Sequence, residues 1–169
     1  MLGFFWEQTG NLEEAHVLCK PFLNSKSDKR TSLLAKTLML IPLLRAGEQE
    51  LAKQLFTFCK SRIPLNAEEI NCVGDFMAFQ SLTGEWKKAI QIFEKSLATL
   101  SGREMGFAYC IYLRGIIHML KRIPHKTQTI SLRIPSWHPT YREDGKYLIS
   151  DLLTYFSTQR SSMVAALDQ

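Results

Sequence analysis

The apolar positions of this 169-residue chain recur at helical spacing and fall in blocks. Leu2, Phe5 and Trp6 form one short stripe, Leu34, Leu38, Ile41 and Leu44 a second, and Trp86, Ala89, Ile90, Ile92, Phe93 and Leu97 a third. Recurrence at three and four residues is the pattern of a helix that buries one face. Glycines punctuate the blocks at a constant interval: Gly10, Gly47 and Gly84 are each 37 residues apart. Ala15, Ala52 and Ala89 follow them by five residues, then come Leu18, Leu55 and Ile92, and next to those Cys19, Phe56 and Phe93. Leu2, Met39 and Phe76 precede the glycines by eight. Glycine tolerates the left-handed conformation that ends a helix and reverses the chain. Each copy therefore predicts a helix, a tight turn and a second helix. Glu48 and Glu85 complement the positive start of that second helix, and Asn11 is suited to cap it. The recurrent alanine is small where two helices approach.

One such hairpin cannot bury its apolar face alone, whereas stacked hairpins can. The expected fold is all-α, a helical-hairpin solenoid with hairpins at about 1–24, 31–63 and 67–100. The run from Gly84 to Leu97, with its turn glycine, then Ala89, then Phe93, resembles the second-helix signature of the tetratricopeptide repeat (TPR) family. Gly3 and Trp6 are similar to the glycine and aromatic of that family's first helix, and Pro64 stands where the family often places a closing proline. The period of 37 departs from the usual repeat of about 34 residues. Leu40 and Met77 replace the first-helix glycine, and Ser27 and Ser101 the closing proline. The resemblance covers roughly residues 1–100. It implies a right-handed TPR-like solenoid that binds another protein or peptide on a concave face lined by the first helix of each hairpin. By that geometry the partner-binding residues are Glu7, Gln8, Arg45 and Ser81, with Thr37 and Asn71 further back along the same helices. They are polar with both signs of charge, which favours no ligand class.

Beyond the repeats, residues 102–122 are apolar on most faces and predict a well-buried helix, opened by the capping-box pattern of Ser101 and Glu104 and closed by Pro124. Asn66 and Glu69 form a similar start signal for the third hairpin, and Pro42 predicts a kink in the first helix of the second. Residues 123–144 carry Pro124, Pro135 and Pro139. Ile130, Leu132 and Ile134 alternate there with Thr129, Ser131 and Arg133, a strand-like period. No second strand pattern stands out, so the segment is expected to be an extended arm. Leu148, Leu152, Tyr155, Phe156 and Met163 then mark an amphipathic helix over about 145–167, suited to capping the array. The organisation read from sequence is thus hairpins and one further helix over 1–122, an arm over 123–144 and a C-terminal helix over 145–169.

Composition adds bounds. Hydrophobic residues make up 46% of the chain and charged ones 22%, as in ordinary globular proteins. The net charge of +5 is spread along the chain. Its densest groups, Lys26, Lys29 and Arg30, then Lys121, Arg122, His125 and Lys126, fall where loops are expected. Cys19, Cys59, Cys72 and Cys110 lack the close spacing of a metal knuckle or redox pair and lie in apolar stretches. They predict buried free thiols and a reducing, cytoplasmic setting. No apolar run reaches the roughly 20 residues needed to span a bilayer. His16, His118, His125 and His138 lack the four-residue helical metal spacing. No phosphate-cradling loop or nucleophile–base pair is present. The expectation is a non-enzymatic scaffold with no catalytic residues, no metal and no cofactor. The alternative is an RNA-binding helical-repeat protein, for which the net charge is the main support; the aromatic residues fit core packing better than base stacking, and a nucleic-acid partner is not the expected one.

The first stripe raises one more expectation. Leu2, Phe4, Phe5 and Trp6 are apolar on more sides than one neighbouring helix covers, and only nine residues precede Gly10. Phe4 and Phe5 are therefore expected to form an exposed interface, covered by an upstream repeat, a partner helix or self-association through the N-terminal helix.

Overall fold

The computed structural model describes residues 30–100 and 106–167. Expectations for Gly3, Phe4, Phe5, Trp6, Glu7, Gln8, Gly10, Ala15 and Cys19 lie outside the described residues. The described chain is mostly helical, as the periodicity predicts, with one small two-stranded sheet. It divides into two compact units, residues 1–64 and 65–169.

In the first unit, α1 spans Arg30–Leu38, α2 Leu40–Arg45 and α3 Gln49–Lys60. Proline has no N–H, and its ring collides with the carbonyl four residues back. Pro42 therefore cannot bond Leu38, and the helix is interrupted at Met39, whose N–H is shared between the Ala35 and Lys36 carbonyls. α2 ends in a Schellman motif: Gly47 has φ +84°, the Glu48 N–H donates to the Leu43 carbonyl at 2.9 Å, and the Gly47 N–H to the Leu44 carbonyl at 3.2 Å. The Glu48 carbonyl then accepts from the Ala52 N–H and starts α3. Ala52, Leu55, Phe56 and Cys59 are the buried stripe of α3. They pack against α1 and α2, with the Cys59 thiol against the Leu33 carbonyl. Lys36 is buried despite its charge. Its ammonium donates to Ser32 Oγ at 2.9 Å and lies 4.6 Å from the centre of the Phe58 ring.

The second unit repeats these boundaries 37 residues later. A 3₁₀ turn, Ala67–Glu69, is capped by Asn66, whose side chain accepts from the Glu69 N–H at 3.3 Å. It leads into α4, Ile70–Leu82, and α5 spans Trp86–Leu97. The turn between them is the same Schellman motif: Gly84 has φ +86°, the Glu85 N–H donates to the Gln80 carbonyl and the Gly84 N–H to the Ser81 carbonyl. Both ends of α5 fall 37 residues after those of α3, and the stripe Ala89, Ile92, Phe93 and Ser96 occupies the same register. Ala52 and Ala89 are both fully buried, in keeping with a small residue at the helix contact.

The next helix, α6, spans Phe107–Lys121 and also begins 37 residues after α4. Gly106 precedes it with φ +89° and ψ −171°, which is not helical. The helix expected from residue 102 is thus corrected at its start to Phe107. α4 lies between α5 and α6 and is buried along almost its whole length. It crosses α6 at two glycines. A Cβ on Gly115 would overlap the Gly74 backbone, and one on Gly74 would come within 2.8 Å of the Tyr112 Cα. Beside the crossing, the buried Asp75 carboxylate accepts from the Arg114 guanidinium at 2.5 Å. The Ser96 and Tyr112 hydroxyls, 2.9 Å apart, join α5 to α6.

The segment after α6 departs from the expected arm. The strand β1, Thr129–Ser131, has a partner: it pairs antiparallel with β2, Lys146–Leu148, with Ile130 opposite Tyr147. β2 runs directly into α7, Ile149–Leu167, so the last helix starts four residues later than expected and Leu148 belongs to a strand. Residues 132–145 loop between the strands and are fastened to the helices. The Arg133 N–H donates to Glu94 Oε1 at 2.8 Å. His138 is buried among Trp137, Tyr155 and Phe156, with ring centres 5.5 to 5.9 Å away. α7 buries only Leu152 and Phe156, against α6 and the arm.

Candidate interaction surface

Of the residues assigned to a partner-binding face, the structure leaves Arg45 exposed and Asn71 half-buried. Thr37 and Ser81 are corrected: each is only 1% exposed. Thr37 Oγ1 donates to the Leu33 and Leu34 carbonyls, and Ser81 Oγ to the Met77 carbonyl. Both hydroxyls are consumed by their own helices, a common resting place for Ser and Thr inside a helix. A groove residue must be reachable, so neither serves. Glu7, Gln8, Phe4 and Phe5 lie outside the described residues.

The structure draws attention to a different region, the β-ribbon. α6 ends at Lys121, Ile123 is buried and Pro124 stops the helix. The Thr127 N–H closes a turn on the Pro124 carbonyl at 2.8 Å, and the chain enters β1. Because the Ile149 N–H donates to the Gln128 carbonyl, the ribbon register holds the end of α6 beside the start of α7. Between them lies an open cleft of about 420 Å³. Leu120, Ile123, Leu148, Ile149 and Leu153 give it an apolar lining, and Lys121, His125, Thr127, Gln128 and Ser150 give it a polar one. A concave site that is mostly apolar with a few polar groups is the usual form of a binding site.

Lys121, which lines this cleft, and its sequence neighbours Arg122 and Lys126 are all exposed, and among the described residues none forms an ion pair. Lys121 and Arg122 complement the negative end of α6. Lys126 lies beyond the helix, and that field does not account for it. Among the described residues no acidic side chain lines the cleft.

A second cleft, about 270 Å³, lies on the other side of Leu148 and is lined by Tyr141, Arg142, Tyr147 and Asp151 among others. Leu148 lines both clefts and is 43% exposed. Trp137 and Tyr141, at 41% and 45%, are the other large apolar side chains left open on this part of the chain. Exposed apolar groups gathered at clefts mark interaction sites more often than scattered ones do.

The buried titratable groups serve the fold. The Thr140 N–H donates to His138 Nδ1 at 3.2 Å, which makes Nδ1 an acceptor and places the ring proton on Nε2. Burial pushes the His138 pKa down to about 4. Cys59, Cys72 and Cys110 are free and buried. Burial pushes the Cys59 thiol up to about 11, with Lys36 and Arg62 opposing, so it is a poor nucleophile at neutral pH. Among the described residues no group of three or more His, Cys, Asp or Glu side chains is placed to hold a metal ion. No described helix is long and apolar enough to cross a membrane.

Sequence reasoning reached the cations at 121–126 but read them as a loop. The alternation over Thr129–Ile134 was the one signal of the ribbon. Comparison with protein-family models, curated proteins and solved structures finds no match.

Proposed function

We propose that this chain is a non-catalytic interaction module, a TPR-like helical-repeat scaffold that holds another protein. The observation that carries this reading is the recurrence of one turn geometry. Gly47 and Gly84 adopt the same left-handed Schellman turn 37 residues apart, followed by helices of equal length with the same buried stripe. Repetition of a supersecondary unit is the property of arrays whose use is to present a surface. The buried thiols suit a reducing, cytoplasmic setting. In this reading α7 is the capping helix, Arg45 is an accessible partner-facing residue of the first unit, and Asn71 is a half-buried one of the second.

The test is affinity capture on the full chain, followed by a binding isotherm between the two purified proteins. A stoichiometric protein complex that survives nuclease treatment is the expected result. Bound RNA in place of protein, released by nuclease and by moderate salt, would replace this reading with the RNA-binding one. Weakening of the complex by Arg45→Glu at an unchanged melting temperature would place the contact on the first helix of the Gly47 hairpin.

A further inference from the structure

We infer that the cleft between the end of α6 and the start of α7 is a docking site for a short peptide segment combining aliphatic and acidic side chains. This rests on the reading of the chain as an interaction module and adds a site and a ligand chemistry to it. Three observations converge. The cleft is concave, about 420 Å³, large enough for two or three side chains. Its apolar lining, which includes Ile123, Leu148 and Leu153, rewards aliphatic groups. Lys121 lines the cleft, and Arg122 and Lys126, next in sequence to the lining residues Ile123, His125 and Thr127, are exposed like it; none of the three forms an ion pair among the described residues, and no described acidic side chain lines the cleft. The charge complement is therefore a carboxylate placed beside an aliphatic residue.

The same observations argue against the other anionic partners. Single-stranded nucleic acid is held by aromatic platforms on which bases stack. Among the described residues no Phe, Tyr or Trp lines this cleft. A membrane surface takes an apolar face that can enter the headgroup region, whereas most of the apolar side chains here are recessed: Leu120 and Ile123 are buried and Ile149 and Leu153 half-buried or less exposed than Leu148. A peptide meets both conditions, because one chain can place leucines in the cleft and glutamates at the lysines.

The ribbon makes the site permanent. Its floor and its cationic edge come from segments more than twenty residues apart, and the Gln128–Ile149 bond and the β1–β2 pairing hold them together. Such a site binds without first paying to order itself.

The probe is a fluorescein-labelled pentapeptide with two adjacent leucines flanked by glutamates, titrated by anisotropy against the full chain. Saturable binding is expected, with at least a tenfold loss of affinity in K121E/K126E and in Leu148→Glu. These three positions are exposed, so the melting temperature should stay put. An all-glutamate pentapeptide should bind at least tenfold more weakly than the probe, and a version with lysines in place of the glutamates should not bind. Equal affinity for the all-glutamate peptide would overturn the proposal, because it would show a charge patch without a cleft. Tighter binding of an oligouridylate or of phosphatidylserine vesicles through the same lysines would overturn it in favour of that ligand. If a protein partner is captured and its affinity is unchanged in K121E/K126E, this assignment fails while the interaction-module reading stands. If no protein partner exists at all, both fall.

Discussion

Gly74 and Gly115 meet where α4 crosses α6, so closely that a Cβ on Gly115 would overlap the Gly74 carbonyl. Both are inside helices, where glycine costs roughly 0.5–1 kcal/mol relative to alanine. That cost is offset where the approach of the two backbones lets the flanking residues, Val73, Met77, Ile111 and Met119 among them, be buried.

Gly115→Ala tests this by its sign. At an open helical position the change would stabilise through helix propensity. Here the helices must move apart, and the expected loss is about 1–3 kcal/mol, read from denaturant unfolding monitored by circular dichroism. A variant as stable as the parent would show that the crossing is not held this tightly.

Gly84→Ala should behave differently. Nothing lies within 4 Å of the position its Cβ would take, but φ is +86°, so the loss comes from backbone conformation alone. About 1 kcal/mol is expected, with no change in the denaturant m-value. Gly47→Ala, at φ +84° with equally open surroundings, should cost the same within a few tenths. A large difference between the two would mean that the turns are not equivalent.

The Asp75–Arg114 pair predicts strong coupling. Asp75 is 2% exposed, so Arg114→Met removes the opposite charge from a buried carboxylate, at a cost of about 3–5 kcal/mol. Replacing both, as Asp75→Asn with Arg114→Met, should cost less than the sum of the single changes. Additive losses in the double-mutant cycle would indicate that the two side chains do not act as a pair.

His138 predicts a pH dependence. Its folded pKa of about 4 lies below the unperturbed value of 6.5. Between those values the unfolded chain binds a proton that the folded chain does not, so stability falls as pH falls through that window. The His138 contribution is fully present above about pH 6.5 and is lost as pH falls through about 4, an effect of roughly 3 kcal/mol. Comparison with His138→Gln isolates it: the stability difference between the two chains should narrow as pH drops from 7.5 to 4.5. Parallel pH profiles would rule out a buried neutral imidazole.

Local rules carried the sequence a long way in the repeats. A glycine that must reverse the chain, an alanine at a helix contact and apolar residues three and four apart are set by backbone geometry within a few residues. Gly47, Gly84, Ala52 and Ala89 could therefore be placed from the sequence, as could the helix break ahead of Pro42 and the cap at Asn66. The ribbon could not be. Lys146–Leu148 is three residues long, too short to show any period, and it lies 14 residues beyond β1. Nor could the fate of a polar residue on a helix be read from its neighbours in sequence. Thr37, Ser81, Lys36 and Asp75 look like surface positions until the elements packed around them are known. Gly74 and Gly115 look like weak points until they are found facing each other. The cleft beside Leu148 belongs to the same class: its walls come from the end of one helix and the start of the next, and long-range pairing of β1 with β2 decides that they meet.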